Sequence, residues 1–231
     1  MSCRVVSLVP SSTETLLALG VDVVACTRFC EQPDRRHVGG TKNPDVTAIV
    51  ALAPDLVVLD REENRREDHD ALVAAGLTVF VSDVTSVDEG VAVVGELAAV
   101  AGVPAPVLDG PALLDPPMRA TAFVPIWRRP WMSISASTYG GSLLRRLGIG
   151  LVGADSDDPY PTLELAEVAA HQPDVVLVPS EPYDFGSHHL DELASSLPAA
   201  RIVRVDGQDL FWWGIRTPDA FRRLADALSS I

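Results

Sequence analysis

The sequence contains the hexapeptide PDLVVL at residues 54–59 and a close copy of it, PDVVLV, at residues 173–178. The elements around the two copies recur in the same order. Upstream of each copy, a Ser-Thr pair leads a predicted helix that ends at a Leu-Gly pair, at Gly20 in the first case and at Gly148 in the second. A repeat of roughly one domain's length predicts two similar α/β lobes in one polypeptide, and two facing lobes predict a ligand cleft between them.

The predicted strands are rich in Val and Leu without alternation and are separated by helices, which indicates parallel strands buried on both faces. We therefore predict an α/β fold of two similar lobes, each with a central parallel sheet flanked by helices, joined by a single backbone helix. The N-terminal lobe is expected at residues 1–85, the connecting helix and a Pro-rich crossover at 86–117, and the C-terminal lobe at 118–231. Ser11, Ser12 or Thr13 is expected to cap the first helix. Strands are predicted at 4–9, 22–26, 55–59, 77–82, 120–125, 149–153, 174–178 and 201–205, and helices at 13–19, 45–52, 66–75, 86–101, 138–147, 163–170, 189–196 and 218–229.

The composition limits the classes of binding partner and the cellular location that are expected. The 231-residue chain has a formal net charge of -14, which argues against nucleic acid or an anionic membrane as the main partner. Its three cysteines are too few for a disulfide framework and fit a reducing compartment. The first predicted strand follows Met1 closely, so no signal peptide is expected, and no apolar run approaches the ~18 residues of a membrane span. We therefore expect a cytoplasmic protein without membrane insertion.

In parallel α/β sheets, ligands bind beyond the carboxyl ends of the strands. The loops expected there carry all four tryptophans and several arginines. Aromatic and guanidinium groups in loops are common in ligand recognition. Two alternatives stay open: the tryptophans pack between the lobes, or the arginines (Arg28, Arg61, Arg128, Arg129, Arg216) pair with nearby glutamates. The candidate ligand-binding residues are Ser12, Arg28, Phe29, Arg61, Glu62, Trp127, Arg128, Trp131, Tyr183, Phe185, Trp212 and Trp213.

Signals for metal sites and catalysis are weak. Cys26 and Cys30 lack a second Cys pair or a spaced His pair, so no zinc site is predicted. Cys30 is expected in an exposed loop as a free thiol, or as an axial or reactive thiolate. The pair His188-His189 at a helix start is expected to be solvated or to cap the helix. No phosphate loop, dinucleotide fingerprint or nucleophile elbow is present, and no catalytic residue is predicted.

Two stretches resemble the helical-backbone periplasmic binding proteins, and the likeness is nearest to their cobalamin-binding branch: RVVSLVPSSTE at residues 4–14 and IVALAPDLVV at residues 49–58. In such relatives, aromatic side chains of both lobes hold the corrin. The resemblance implies that Phe29 and either Trp212 or Trp213 occupy such positions, while Asp60-Arg61-Glu62 stands where a further aromatic is expected. Relatives of this kind also dock on a membrane transporter through one glutamate per lobe. Arg66, beside Glu67, and Gly214 stand near those positions, so one docking carboxylate is displaced and the other is missing, which argues against docking.

Three functions follow as hypotheses. The leading one is the binding of a corrinoid, tetrapyrrole or other metal chelate in the cleft, for carriage, storage or sensing. Beyond that small-molecule ligand, no firm cofactor is predicted. The second is a chelatase-like enzyme acting on a tetrapyrrole or metal chelate, with its proton or metal chemistry carried by Glu14, Glu31, Glu63, Glu181 and Cys30 or His37. The third is a ligand-free interaction module whose cleft is filled by Trp127, Trp131, Trp212 and Trp213.

Overall fold

A computed structural model describes residues 3–108, 116–229 and 231, and the chain forms two compact units. The first runs to Val84 and includes Asp88–Leu108 and Trp213–Arg216; the second holds Thr85–Val87, the chain up to Trp212, and the residues from Thr217 onward. Part of the predicted crossover, residues 109–115, lies outside the described residues. Within the described part of the chain, no helix is both long and apolar enough to cross a bilayer.

The first unit has a central parallel sheet with the strand order β3-β2-β1-β6-β7, and a small antiparallel ladder is formed by β4 and β5. The strands follow their predicted positions closely, whereas the two-residue strands β3 to β5 were not predicted because such short pairings leave no periodic signal. The elements are β1 Arg4–Ser7, α1 Pro10–Ala18, β2 Asp22–Cys26, β3 Arg36–His37, β4 Gly39–Gly40, β5 Asn43–Pro44, α2 Val46–Leu52, β6 Leu56–Asp60, α3 Arg66–Ala74, β7 Val79–Ser82 and α4 Val87–Ala101.

The second unit has a parallel sheet with the strand order β11-β10-β8-β9. Matching β1, β2, β6 and β7 to β8, β9, β10 and β11 gives the same strand order in both sheets, so the repeat read from the sequence is confirmed. The elements are β8 Ala120–Phe123, α5 Tyr139–Arg146, β9 Ile149–Leu151, α6 Leu165–Ala170, β10 Val175–Pro179, α7 Ser187–Ser196, β11 Arg201–Val205, α8 Gly207–Phe211 and α9 Thr217–Ala227.

The aspartate of each Pro-Asp repeat makes the same pair of hydrogen bonds to the neighbouring strand. The amide of Asp55 donates to the carbonyl oxygen of Arg4 at 2.8 Å, and its carboxylate accepts from the Arg4 amide at 2.8 Å. In the second copy, Asp174 makes the same pair of bonds with Thr121, at 2.9 and 2.7 Å. Both backbone groups at the start of β1 or β8 are therefore satisfied by one residue of the neighbouring strand, which fixes the register of the parallel pair.

One interior strand of each sheet is buried on both faces. Every residue of β6 and of β10 is buried, which explains why neither strand alternates in polarity. Aliphatic side chains fill the core of the first unit. The second core also takes in three aromatic rings, those of Phe123, Trp131 and Phe185. The first core comprises Val6, Leu8, Ala25, Val38, Ile49, Val57, Leu59 and Leu72.

Two local predictions were wrong. Helix α1 begins at Pro10 and not after a Ser or Thr cap, because proline is well suited to the first helical position. Ser11, Ser12 and Thr13 thus lie inside the helix. Helix α8 lies in a predicted loop, where the Asp206 carboxylate caps it by accepting from the Gln208 amide at 2.9 Å.

The short segment Trp213–Arg216 packs with the first unit and not with the residues around it in sequence. Arg216 forms a two-bond fork with Glu14 of α1, at 2.7 and 2.9 Å, and the Ile215 amide donates to the Thr15 hydroxyl. The predicted boundaries, with residues 118–231 as one lobe, did not anticipate this exchange because the partner residues are about 200 positions away in sequence.

The residue before each Pro-Asp repeat has a left-handed backbone, with φ of 44° at Ala53 and 50° at Gln172. This conformation costs a residue with a Cβ roughly 1–2 kcal/mol, and proline after it prevents continuation of the helix. Ala53 ends α2, and its carbonyl oxygen accepts from the Arg4 guanidinium at 2.8 Å.

We predict that Ala53→Gly raises the free energy of unfolding by about 0.5–1 kcal/mol, because glycine relieves the left-handed strain while losing some chain entropy. Ala51→Gly, two residues earlier within α2, should lower it by about 0.5–1 kcal/mol. Chemical denaturation of both variants gives the comparison, and a loss of stability in both would contradict the assigned backbone.

Candidate functional site

An aromatic cluster lies at the carboxyl ends of β8 and β10 in the second unit. It consists of Trp127, Trp131, Tyr183, Phe185 and His189. The Trp127 and Tyr183 rings meet edge to face with centroids 5.1 Å apart, and Tyr183 lies 4.8 Å from Phe185. Trp131 is stacked on Phe185 at 5.8 Å with an interplanar angle of 8°. The loops after two adjacent parallel strands therefore meet through a continuous set of rings.

The conformation of the loop after β8 determines where the two tryptophan rings lie. After β8, the chain turns back on itself between Ile126 and Met132: the Ile126 amide donates to the Met132 carbonyl at 2.9 Å, and the Met132 amide donates to the Trp127 carbonyl at 3.2 Å. Trp127 thus lies at the mouth of a short loop. Trp131 is held by its own carbonyl, which accepts from the Leu163 amide at 3.0 Å.

Burial divides the cluster into a base and a surface. Trp131 and Phe185 are only 5% and 1% exposed and belong to the hydrophobic core of the unit. They were predicted to contact ligand, and the structure instead places them beneath the surface as the packed support of the cluster. Trp127 is 46% exposed, and Tyr183 is half-buried between Trp127 and the core. Trp127 is therefore the ring that the cluster offers to solvent.

Arg128 does not extend freely from this surface. Its Nε and Nη2 atoms donate to the two carboxylate oxygens of Glu192 in α7, at 3.0 and 2.6 Å. The guanidinium carbon also lies 4.7 Å from the centre of the Trp131 ring, which is a cation–π contact. The Arg128 hydrogen bonds are the main reason why the pKa of Glu192 lies below its usual value.

His189 is buried beside these rings and caps α7. Its Nδ1 accepts a hydrogen bond from the Gly186 amide at 3.1 Å, so the neutral imidazole carries its proton on Nε2, which lies 3.5 Å from the Tyr183 hydroxyl. Burial, and then the neighbouring His188 and Arg128, lower the pKa of His189. The prediction that the His-His pair caps a helix is confirmed for His189, and among the described residues no cluster of His, Cys, Asp and Glu could hold a metal ion.

We predict that acid weakens the fold through His189. Because the folded-state pKa lies below the ordinary value of 6.5, neutral His189 contributes its full stability above pH 6.5, and this is lost as the pH falls towards the folded-state pKa. His189→Gln keeps a hydrogen-bond acceptor at the cap and should flatten the fall in thermal midpoint as the pH drops below 6.5.

The matched control is His171→Gln, which alters an exposed histidine outside this cluster and should leave the pH dependence unchanged. Equal pH profiles for His189→Gln and the parent protein would refute the assignment.

The remaining tryptophans occupy different units. Trp212 donates from Nε1 to a Glu181 carboxylate oxygen at 2.7 Å, which joins the loops after β10 and β11. Gly207 makes this junction tight, since a Cβ there would lie 2.5 Å from Glu181 Cγ. Trp213 is 5% exposed and belongs to the first unit. Of these two, Trp212 is the more exposed, since it is only partly buried.

In the first unit, Phe29 is the exposed aromatic. Its ring is 50% exposed, and the Arg28 guanidinium lies 4.7 Å over it. Gly40 forms the floor, since a Cβ there would approach the Phe29 ring to 3.0 Å and the Arg28 guanidinium to 3.2 Å. This loop tip is the feature of the first unit that best fits the predicted role in recognition.

The other predicted residues of the first unit are less suited to contact a ligand. Ser12 is fully buried, and among the described residues its hydroxyl has no hydrogen-bond partner. Exposed Arg61 pairs with Asp83 at 2.8 Å. Glu62 belongs to a turn closed by buried Asp60, whose carboxylate accepts from the Glu62 amide at 2.9 Å and from the Ser82 hydroxyl at 2.8 Å. Burial raises the pKa of Asp60.

The groups proposed for an enzyme are largely engaged in structural contacts. Cys30 is only 2% exposed, so its prediction as an exposed thiol was wrong; it is enclosed by the hydroxyls of Thr13 and Thr27, each 3.2 Å from Sγ. Hydrogen bonds, that with Cys26 first, lower the pKa of Cys30 to about 6. Glu14 is paired with Arg216, as the arginine–glutamate alternative expected. Arg61 and Arg128 instead pair with acids that the sequence did not suggest.

Comparison with known proteins agrees with this geometry. The profile of a family described as periplasmic binding protein matches residues 5–105. A vitamin B12-binding protein of Yersinia pestis (strain Pestoides F) is 28% identical over 192 residues, or 76% of this chain and 69% of that protein. The solved periplasmic vitamin B12-binding protein of Vibrio cholerae has a TM-score of 0.79 at 18% identity, and covers 99% of this chain and 97% of its own.

The chain is similar to the periplasmic binding proteins over residues 5–105, and its fold is that of the helical-backbone type. The resemblance read from residues 4–14 and 49–58 is thereby confirmed, as is the fold class. A heme-binding member from Roseiflexus sp. RS-1 shares the fold, with a TM-score of 0.77 at 24% identity over 98% of both chains. The family relatives are named as binding proteins and not as enzymes.

Arg66 and Gly214 stand near the two positions that such relatives use for docking on a transporter. Arg66 is highly exposed and lies 3.9 Å from Asp70. Gly214 has φ of 104°, and a Cβ there would overlap the Thr15 hydroxyl, so this backbone has no room for a glutamate side chain. The argument against transporter docking stays a prediction from these two substitutions.

Proposed function

We propose that the protein binds a corrinoid, tetrapyrrole or other metal chelate, and serves its carriage, storage or sensing. The observation that carries the proposal is the half-exposed ring of Trp127, mounted on a packed aromatic cluster. The Trp127 ring is 46% exposed, so a large part of its apolar surface remains in contact with water. A flat macrocycle stacked on the ring would bury that surface. The small-molecule ligand is thus proposed from the surface chemistry of the chain.

The relatives support the ligand class. One group is named for vitamin B12 and another for heme, and both ligands are metal-centred tetrapyrrole-type macrocycles. The exposed Phe29 ring with the Arg28 guanidinium over it supplies the same chemistry in the first unit: an aromatic face and a cation suited to acidic edge groups of a macrocycle. A cytoplasmic location and a role without catalysis stay part of this proposal.

We predict that the purified intact protein binds at least one member of a panel consisting of cobinamide, cyanocobalamin, hemin and a ferric chelate. Binding should shift the absorbance of that ligand at tens of micromolar or below and raise the thermal midpoint, since saturation at one hundred times Kd stabilises the folded state by about 2.7 kcal/mol. No absorbance change and no stabilisation with every member would refute the proposal.

Trp127→Ala should weaken this binding by about fivefold or more, because a stacked aromatic contact contributes roughly 1–3 kcal/mol. Met118→Ala is the matched control: Met118 is an equally exposed apolar side chain of the same unit, outside the aromatic cluster, and its loss should leave Kd unchanged. Equal weakening by both variants would point to a general surface effect and contradict the role of Trp127.

A further inference from the structure

The side chain of Arg128 is adjacent in sequence to the exposed ring but is directed away from solvent. It is 20% exposed, and its two donor groups match both oxygens of Glu192 in a fork. Such a planar fork is geometrically specific, so it holds both side chains in one arrangement. Arg128 and Glu192 are 64 residues apart in sequence. The fork therefore ties the loop after β8 to helix α7.

The same guanidinium also rests on the buried base of the cluster. It lies 4.7 Å from the Trp131 ring centre, and Trp131 is stacked on Phe185 in the hydrophobic core. Arg128 is thus held on one side by a carboxylate of α7 and on its face by a fixed ring. The guanidinium therefore has little freedom to move. Because Arg128 directly follows Trp127 in sequence, this also restrains the backbone at Trp127.

Trp127 has few other restraints. Its carbonyl accepts from the Met132 amide at 3.2 Å, and its ring meets Tyr183 edge to face. Neither contact fixes a side chain that is nearly half exposed. The backbone is anchored at both ends of the loop, since the Ile126 amide donates to the Met132 carbonyl and the Ser133 amide donates to the Pro161 carbonyl, each at 2.9 Å. The freedom that remains near Trp127 is that of its side chain.

We propose that Arg128 is a positioning residue, which holds Trp127 in its ligand-ready orientation by bridging Glu192 and Trp131, and does not itself contact the ligand. This inference rests on the proposed function and revises the sequence-based role of Arg128 as a direct contact. The fork occupies the Nε and Nη2 edge of the guanidinium and Trp131 lies against its face, so only the Nη1 side would be left for a direct contact with the ligand. Glu192 is a second positioning residue by the same geometry.

The test is a double-mutant cycle in the intact chain, with Kd measured by absorbance for hemin and for cobinamide. Arg128→Lys keeps the charge but loses the fork, and should weaken binding about three- to tenfold. In the Trp127→Ala background the same change should not alter Kd further, because Arg128 affects binding only through the Trp127 ring. Glu192→Gln should behave in the same way. Additive losses for Arg128→Lys and Trp127→Ala would overturn the proposal in favour of direct contact.

A ligand-free readout separates this inference from the proposed function. In protein labelled with 5-fluorotryptophan, the Trp127 resonance, assigned from Trp127→Phe, should shift or broaden in Arg128→Lys and in Glu192→Gln. Arg129→Lys, which alters an exposed neighbour, is the control and should leave it unchanged. An unaltered Trp127 resonance in both fork variants would overturn the positioning role, whether or not any ligand binds. Absence of binding with the spectral change present would refute only the proposed function.

Discussion

Each half of this protein depends on one backbone pairing. An aspartate at the start of the central strand uses its amide and its carboxylate to satisfy both backbone groups of one residue on the neighbouring strand, as Asp55 does with Arg4 and Asp174 with Thr121. Parallel strands lack a tight turn to set their register, so a side chain that fixes it at one end settles every later pair. The carboxyl ends of the strands, where the loops begin, are placed by this constraint.

The placement of the strand ends explains why the aromatic cluster forms in the second unit. Strands β8 and β10 are neighbours, so the loops that leave them share one edge of the sheet and bring Trp127 and Trp131 together with Tyr183 and Phe185. The buried half of the set is part of the hydrophobic core and gives the exposed half a rigid base. A binding surface on such a base requires little ordering when a rigid ligand arrives. The family relationship and the proposed ligand class are consistent with that property.

Much of the fold was readable from the sequence, because uninterrupted Val and Leu runs between helices carry a strong signal. The aromatic loops were predicted too, but the depth of each ring was not: loop residues such as Trp131 and Phe185 turn inward, and no local pattern distinguishes them from Trp127. The partner of Arg128 was also unpredictable, since Glu192 comes from a distant helix. The exchanged segment at Trp213 was missed for the same reason, whereas helix α8 was missed because its five residues are too few for a periodic signal.

The central claim is that the exposed member of the aromatic cluster meets a metal chelate. Titration of the 5-fluorotryptophan-labelled protein with hemin or cobinamide tests it most directly, because each of the four tryptophans reports separately. The account predicts that the Trp127 resonance changes most on ligand addition and saturates with the absorbance change, while buried Trp213 changes least. A bound ligand that leaves Trp127 unperturbed would contradict it.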